Sequence, residues 1–102
     1  MRQVKFRYWN GSKVLNQEAI INHLNKYIAR NDKHLMQFTG LFDKQGVEIY
    51  EGDIIKGGIY LSYEVKWDYE QSGWNIGTVV KEYYEVIGNI YENSDPIKKE
   101  QG

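Results

Sequence analysis

A chain of 102 residues, 41% hydrophobic and 26% charged, has room for one core and no second. A net charge of −1 and the absence of cysteine exclude disulfides, thiolate metal sites and a broadly basic nucleic-acid surface. Residues 1–50 carry eight Lys/Arg and four Asp/Glu, a net +4, whereas residues 51–102 carry five and ten, a net −5. Such asymmetry can set complementary surfaces against each other within a fold or between subunits.

The opening alternates with period 2: Val4, Phe6 and Tyr8 on one face, Lys5, Arg7 and Trp9 on the other. Asn10-Gly11-Ser12 reads as a turn. One helix is predicted from about Asn16, a good N-cap with Glu18 in the first turn, to about Arg30. Its apolar stripe is Ile20, Leu24, Tyr27 and Ile28, with Asn22, His23, Asn25 and Lys26 on the wet side. Leu35 to Leu41 reads as a strand, and Asp43-Lys44-Gln45-Gly46 as a type I turn. Val47 to Tyr50 follows, then a tight turn at Glu51-Gly52-Asp53 in which Gly52 supplies positive φ. Ile54-Ile55-Lys56 enters another strand, broken at Gly57-Gly58. From Leu61 the alternation sets Leu61, Tyr63, Val65 and Trp67 against Ser62, Glu64, Lys66 and Asp68. The chain turns at Glu70 to Gly73 and runs back from Trp74 to Val80. The last strand, Tyr83 to Tyr91, has apolar residues on both faces and should be covered on both sides. From Asn93 the sequence is polar and reads as a tail.

Short strands with glycine at the corners predict a mainly β (α+β) domain: a small SH3-like barrel of five to six strands. The expected organisation is an N-terminal strand and helix over 1–34, a barrel over 35–92 and a flexible tail over 93–102. Phe6, Leu61, Val65, Trp67, Val86 and Ile90 form the expected core.

Three stretches carry a family resemblance: the opening Met1-Arg2-Gln3-Val4-Lys5-Phe6-Arg7-Tyr8-Trp9, the central block from Leu35 to Lys56, and the closing Glu85-Val86-Ile87-Gly88-Asn89-Ile90-Tyr91-Glu92-Asn93. Together they resemble the YopX family of phage and prophage proteins. The resemblance implies a phage-encoded protein and carries over no catalytic residues. Ser94-Asp95 stand before Pro96 where the family follows Glu-Asn directly with proline, and nothing between Trp9 and Leu35 matches a family motif. Gly40, Gly46, Gly52, Asp53, Gly88 and Asn89 in these blocks read as structural, at turns and close backbone approaches.

Little of an active site is legible. His23 and His34 read as solvated, and their spacing matches no zinc pattern. Glu48, Glu51 and Asp53 lack the alternating oxygen ligands of a calcium loop. No enzyme, cofactor or metal site is expected. The leading expectation is a cytoplasmic protein-interaction or adaptor module without membrane attachment. It would use exposed aromatics and the helix stripe Ile20, Leu24, Tyr27 and Ile28, and could form a homo-oligomer. The alternative is nucleic-acid binding through the basic-aromatic face of Lys5, Arg7 and Trp9.

Overall fold

A computed structural model describes residues 4–57, 62–76 and 83–92. Strand β1 (Phe6–Trp9) turns at Asn10, whose side-chain oxygen accepts from Ser12 N and Lys13 N, and returns as β2 (Val14–Leu15). Asn16 caps helix α1 (Gln17–Ile20) by accepting from Ala19 N at 3.0 Å, as the N-cap reading requires. The Gln17 side chain accepts from Phe6 N, tying the helix start to β1.

The single long helix expected over 16–30 is two. After Ile20 the chain makes a turn closed by His23 N to Ile20 O, and α2 (Leu24–Ala29) begins anew. Ile20, Ile21 and Asn22 are weak helix formers, two of them β-branched. The break lets Ile20 be fully buried while Ile21 is 56% exposed. At the far end Asn31 takes φ +50°. Asn31 N bonds Ile28 O and Asp32 N bonds Tyr27 O, the paired bonds of a Schellman stop.

The long strand β3 (Leu35–Phe42) pairs antiparallel with β1, setting Tyr8 opposite Leu35 and Phe6 opposite Gln37. On its other edge it pairs with β4 (Glu48–Tyr50). Between the Phe38–Tyr50 and Phe42–Glu48 pairs the register shifts, and Gly40 at φ +85° lies inside this irregular stretch. The intervening turn is clamped by Asp43, whose Oδ1 accepts from Gln45 N and Val47 N and whose Oδ2 accepts from Val86 N. Burial acts to raise the Asp43 pKa, but these three amides outweigh it and hold the carboxyl below its ordinary range.

Beyond Gly52, β5 (Asp53–Gly57) lies between β6 (Tyr63–Glu64) and β9 (Tyr84–Asn89), while β7 (Trp67–Asp68) and β8 (Gly73–Trp74) form a hairpin. The strands curl into an open half-barrel, mostly β, with two short helices. Strand β1 sits inside the first sheet, between β2 and β3, and α1 packs against it.

Ile49, Ile55 and Val65 are wholly buried, with Leu41, Tyr63, Trp74 and Val86 packed around them. Ile20, Met36, Phe38 and Ile54 are also buried. Of the expected core, Val65 is buried, and Phe6, Trp67 and Val86 are half-buried. Ile90 is not core: it is 37% exposed, because β9 ends at Asn89 and the period-2 pattern ends with it. The alternation read from Leu61 to Asp68 is likewise cut. Val65 N bonds Asp53 O, and Asn75 bonds the backbone of both Glu64 and Lys66, which separates β6 from β7. Leu61, the run from 77 to 80 and the tail from 93 lie outside the described residues.

Candidate interaction groove

The basic-aromatic face read from β1 points into the protein. Lys5 Nζ meets Glu48 Oε2 at 2.7 Å and stands over the Phe38 ring. Arg7 Nη2 meets Asp53 Oδ1 at 2.5 Å, and its guanidinium lies 4.5 Å from the Tyr50 ring centre. The Arg7 and Asp53 side chains are 14% and 2% exposed. Burial pushes the Asp53 pKa up, against the opposing pull of Arg7 and the Tyr50 N–H. Trp9 stacks on Tyr91, ring centres 5.5 Å apart. The two cations on which nucleic-acid binding would rest are therefore engaged with acids of the same chain.

The glycine-rich motif is a junction of strands. Gly52 has φ +87°, donates its N–H to Val65 O and accepts from Ile90 N. A Cβ at Gly52 would stand 3.2 Å from Met36 Sδ, so the positive φ selects glycine and Met36 would have to shift for any side chain there. Asp53 Oδ2 accepts from Tyr50 N and closes the turn. Gly46, at φ +82°, closes the Asp43 turn through its N–H to Asp43 O. Gly88 lies opposite Ile54 where the β5–β9 register shifts. Asn89 Oδ1 accepts from Tyr91 N and Glu92 N, ending β9.

The helix stripe divides. Ile20 joins the core and Leu24 is half-buried, whereas Tyr27 stacks on Tyr8, centres 4.0 Å apart and planes within 4°. Ile28 is 48% exposed. Both Tyr27 and Ile28 border an open groove of about 560 Å³ between α2, β1 and the β7–β8 hairpin. Its aromatic walls are Phe6, Tyr27, Trp67, Tyr69 and Trp74, and Val4, Ile28 and Leu35 add aliphatic surface. Trp67 and Trp74, directly paired across the hairpin, meet edge to face at 5.3 Å.

Two carboxylates reach this groove in different states. Asp32 accepts from Tyr8 Oη, Arg30 Nη2 and His34 N. The His34 amide foremost, with Arg30 and Tyr8, holds its pKa down to about 2 against the effect of burial. Among the described residues the Glu51 carboxylate has only Gln37 N, at 3.4 Å from its Oε1. Burial pushes its pKa up, the Gln37 amide opposes, and the Glu64 charge adds to the rise. His23 is exposed and His34 half-buried. Among the described residues no three His, Cys, Asp or Glu side chains are grouped to hold a metal ion.

Neither the groove nor the role of Glu51, Tyr69 and Trp74 emerges from the sequence reading. A signal was present: a hairpin turning at Glu70 to Gly73 sets Trp67 opposite Trp74.

The YopX protein family matches residues 3–98, nearly the whole chain and all of the groove. The chain belongs to the YopX family. The crystal structure of protein EF1440 from Enterococcus faecalis superposes on this YopX chain with a TM-score of 0.61, at 22% identity, covering 95% of this chain and 99% of that one. That likeness establishes a shared fold. No curated protein matches this YopX chain.

Proposed function

We propose that this YopX-family chain is a phage-encoded, non-enzymatic protein-interaction module of the bacterial cytoplasm, and that the groove beside α2 is its contact surface. The observation that carries the reading is apolar exposure gathered at one place. Val4 is 63%, Ile28 48% and Tyr69 86% exposed, all around a groove walled by two tryptophans. Clustered exposed apolar surface marks contact sites, and Trp and Tyr most often carry contact energy. The wall is preformed, since Tyr27 is stacked on Tyr8 and Trp67 packs edge to face on Trp74, so little ordering cost falls on association.

The test is capture of partners by tagged protein from host cells, comparing the wild type with Ile28→Asp and Tyr69→Ala. Both positions are exposed, so the variants should keep their circular dichroism and lose the captured species. Retention of the same species by both folded variants would defeat the groove as the contact surface.

A further inference from the structure

We infer that the groove seats an arginine side chain of another protein, its guanidinium against the Glu51 carboxylate and its stem along the Trp67, Trp74 and Tyr69 rings. This rests on the groove being the protein-contact surface proposed above.

Asp53 has Arg7, Glu48 has Lys5, Asp32 has Arg30, and Asp43 has three backbone amides, whereas half-buried Glu64 reaches only Lys66 at 3.9 Å and does not border the groove. Glu51, half-buried at the groove, has one amide at 3.4 Å, the long limit of a hydrogen bond. No ion pair reaches it among the described residues. A partly desolvated carboxylate without a counter-ion is unfavourable, and a cation brought to it gains most where water is thin.

The walls decide which cation. Aromatic faces attract cations, and a guanidinium also stacks flat on them. It is less strongly hydrated than an ammonium and can fork two N–H donors onto one carboxylate. A groove of about 560 Å³ falls within the size range of sites that hold a whole ligand, so residues flanking the arginine would meet Val4 and Ile28 at the rim. Arg7 and Arg30 already hold Asp53 and Asp32, and Arg2 lies outside the described residues, so a second copy offering Arg2 is the alternative that the experiment separates.

The experiment is a titration of the isotope-labelled full chain, followed by amide and indole resonances. The probes are N-acetyl-arginine amide, its uncharged citrulline counterpart and its lysine counterpart. The arginine probe should shift the Trp67 and Trp74 indoles with the Gln37 and Glu51 amides, saturably. Citrulline should bind about tenfold or more weakly, the loss of one charge-assisted contact. Glu51→Gln should bring arginine to the citrulline level, and Tyr69→Ala should weaken binding by a separate route. Equal response to arginine and citrulline, or an unchanged response in Glu51→Gln, would overturn the assignment, and equal binding of lysine would overturn the guanidinium. A dimer seen by light scattering that Glu51→Gln dissociates would name a second copy as occupant and refute the proposal of another protein. If partner capture depends on Ile28 and Tyr69 but not on Glu51, the contact surface stands and the arginine falls. If it depends on none of them, the contact surface itself has failed.

Discussion

Glu51 and Asp53 flank Gly52 and share one tight turn, yet they live in opposite conditions. Asp53 points inward, 2% exposed, and meets a guanidinium and a backbone N–H. Glu51 points toward the groove with one long amide contact. A turn that reverses the chain sends side chains on either side of its glycine to different surfaces. One carboxylate thereby fastens β1 to β5, while the other is left for something outside the chain. The two differ in what their removal should do, and that contrast can be broken by measurement.

The largest effect is expected from Asp53→Ala. It strands the Arg7 charge in a site where that side chain is 14% exposed and frees the Tyr50 N–H. A loss of ~3–5 kcal/mol is expected from urea denaturation. A loss below ~1 kcal/mol would mean that the ion pair is not what fastens the turn. Gly52→Ala comes next at more than ~1 kcal/mol, since φ is +87° and Met36 Sδ is close. An unmoved denaturation midpoint would remove the junction role. Asn16→Ala deletes the cap on Ala19 N and should cost ~1 kcal/mol, read the same way.

Glu51→Gln should have the smallest effect and a different sign. Burial raises the Glu51 pKa, so the folded state holds that proton more firmly than the unfolded chain does. Its contribution is therefore most favourable below the ordinary carboxylate range and declines as pH rises through the raised pKa. Glutamine removes that decline. The variant should be as stable as the wild type or slightly more so at neutral pH, with a flatter pH profile above the carboxylate range. A clear destabilisation at pH 7 would place Glu51 with Asp53, as a structural acid.

Features that depend on neighbours in sequence were legible. Asn16 caps its helix, helical structure ends near Arg30, Asp43 and Gly46 make their turn, and Gly52 has positive φ, each where the residue chemistry placed it. Features that depend on distant partners were not. Lys5 and Arg7 looked like a solvent face because Glu48 and Asp53 lie 43 and 46 residues away. The helix looked continuous because the stripe repeats with the same spacing whether or not a turn interrupts it. The groove needed three segments brought together, and the apolar residues each one shows read equally well as its share of the core. Period 2 misled at Ile90, where Asn89 had already ended the strand.

The pairing of β5 with β9 has a consequence for synthesis. Gly57 closes β5 and Tyr84 opens β9, so about 27 residues separate the two strands. At a ribosomal rate of ~5–20 residues per second, that interval is on the order of one to five seconds. During it, Ile54 and Ile55 are already made, while the strand they pair with is still being added. The Asp43 carboxylate likewise waits for Val86 N–H, 43 residues onward. The nascent chain therefore holds an unpaired, isoleucine-bearing strand edge for seconds, the interval in which a holdase chaperone or a neighbouring nascent chain could pair with it first.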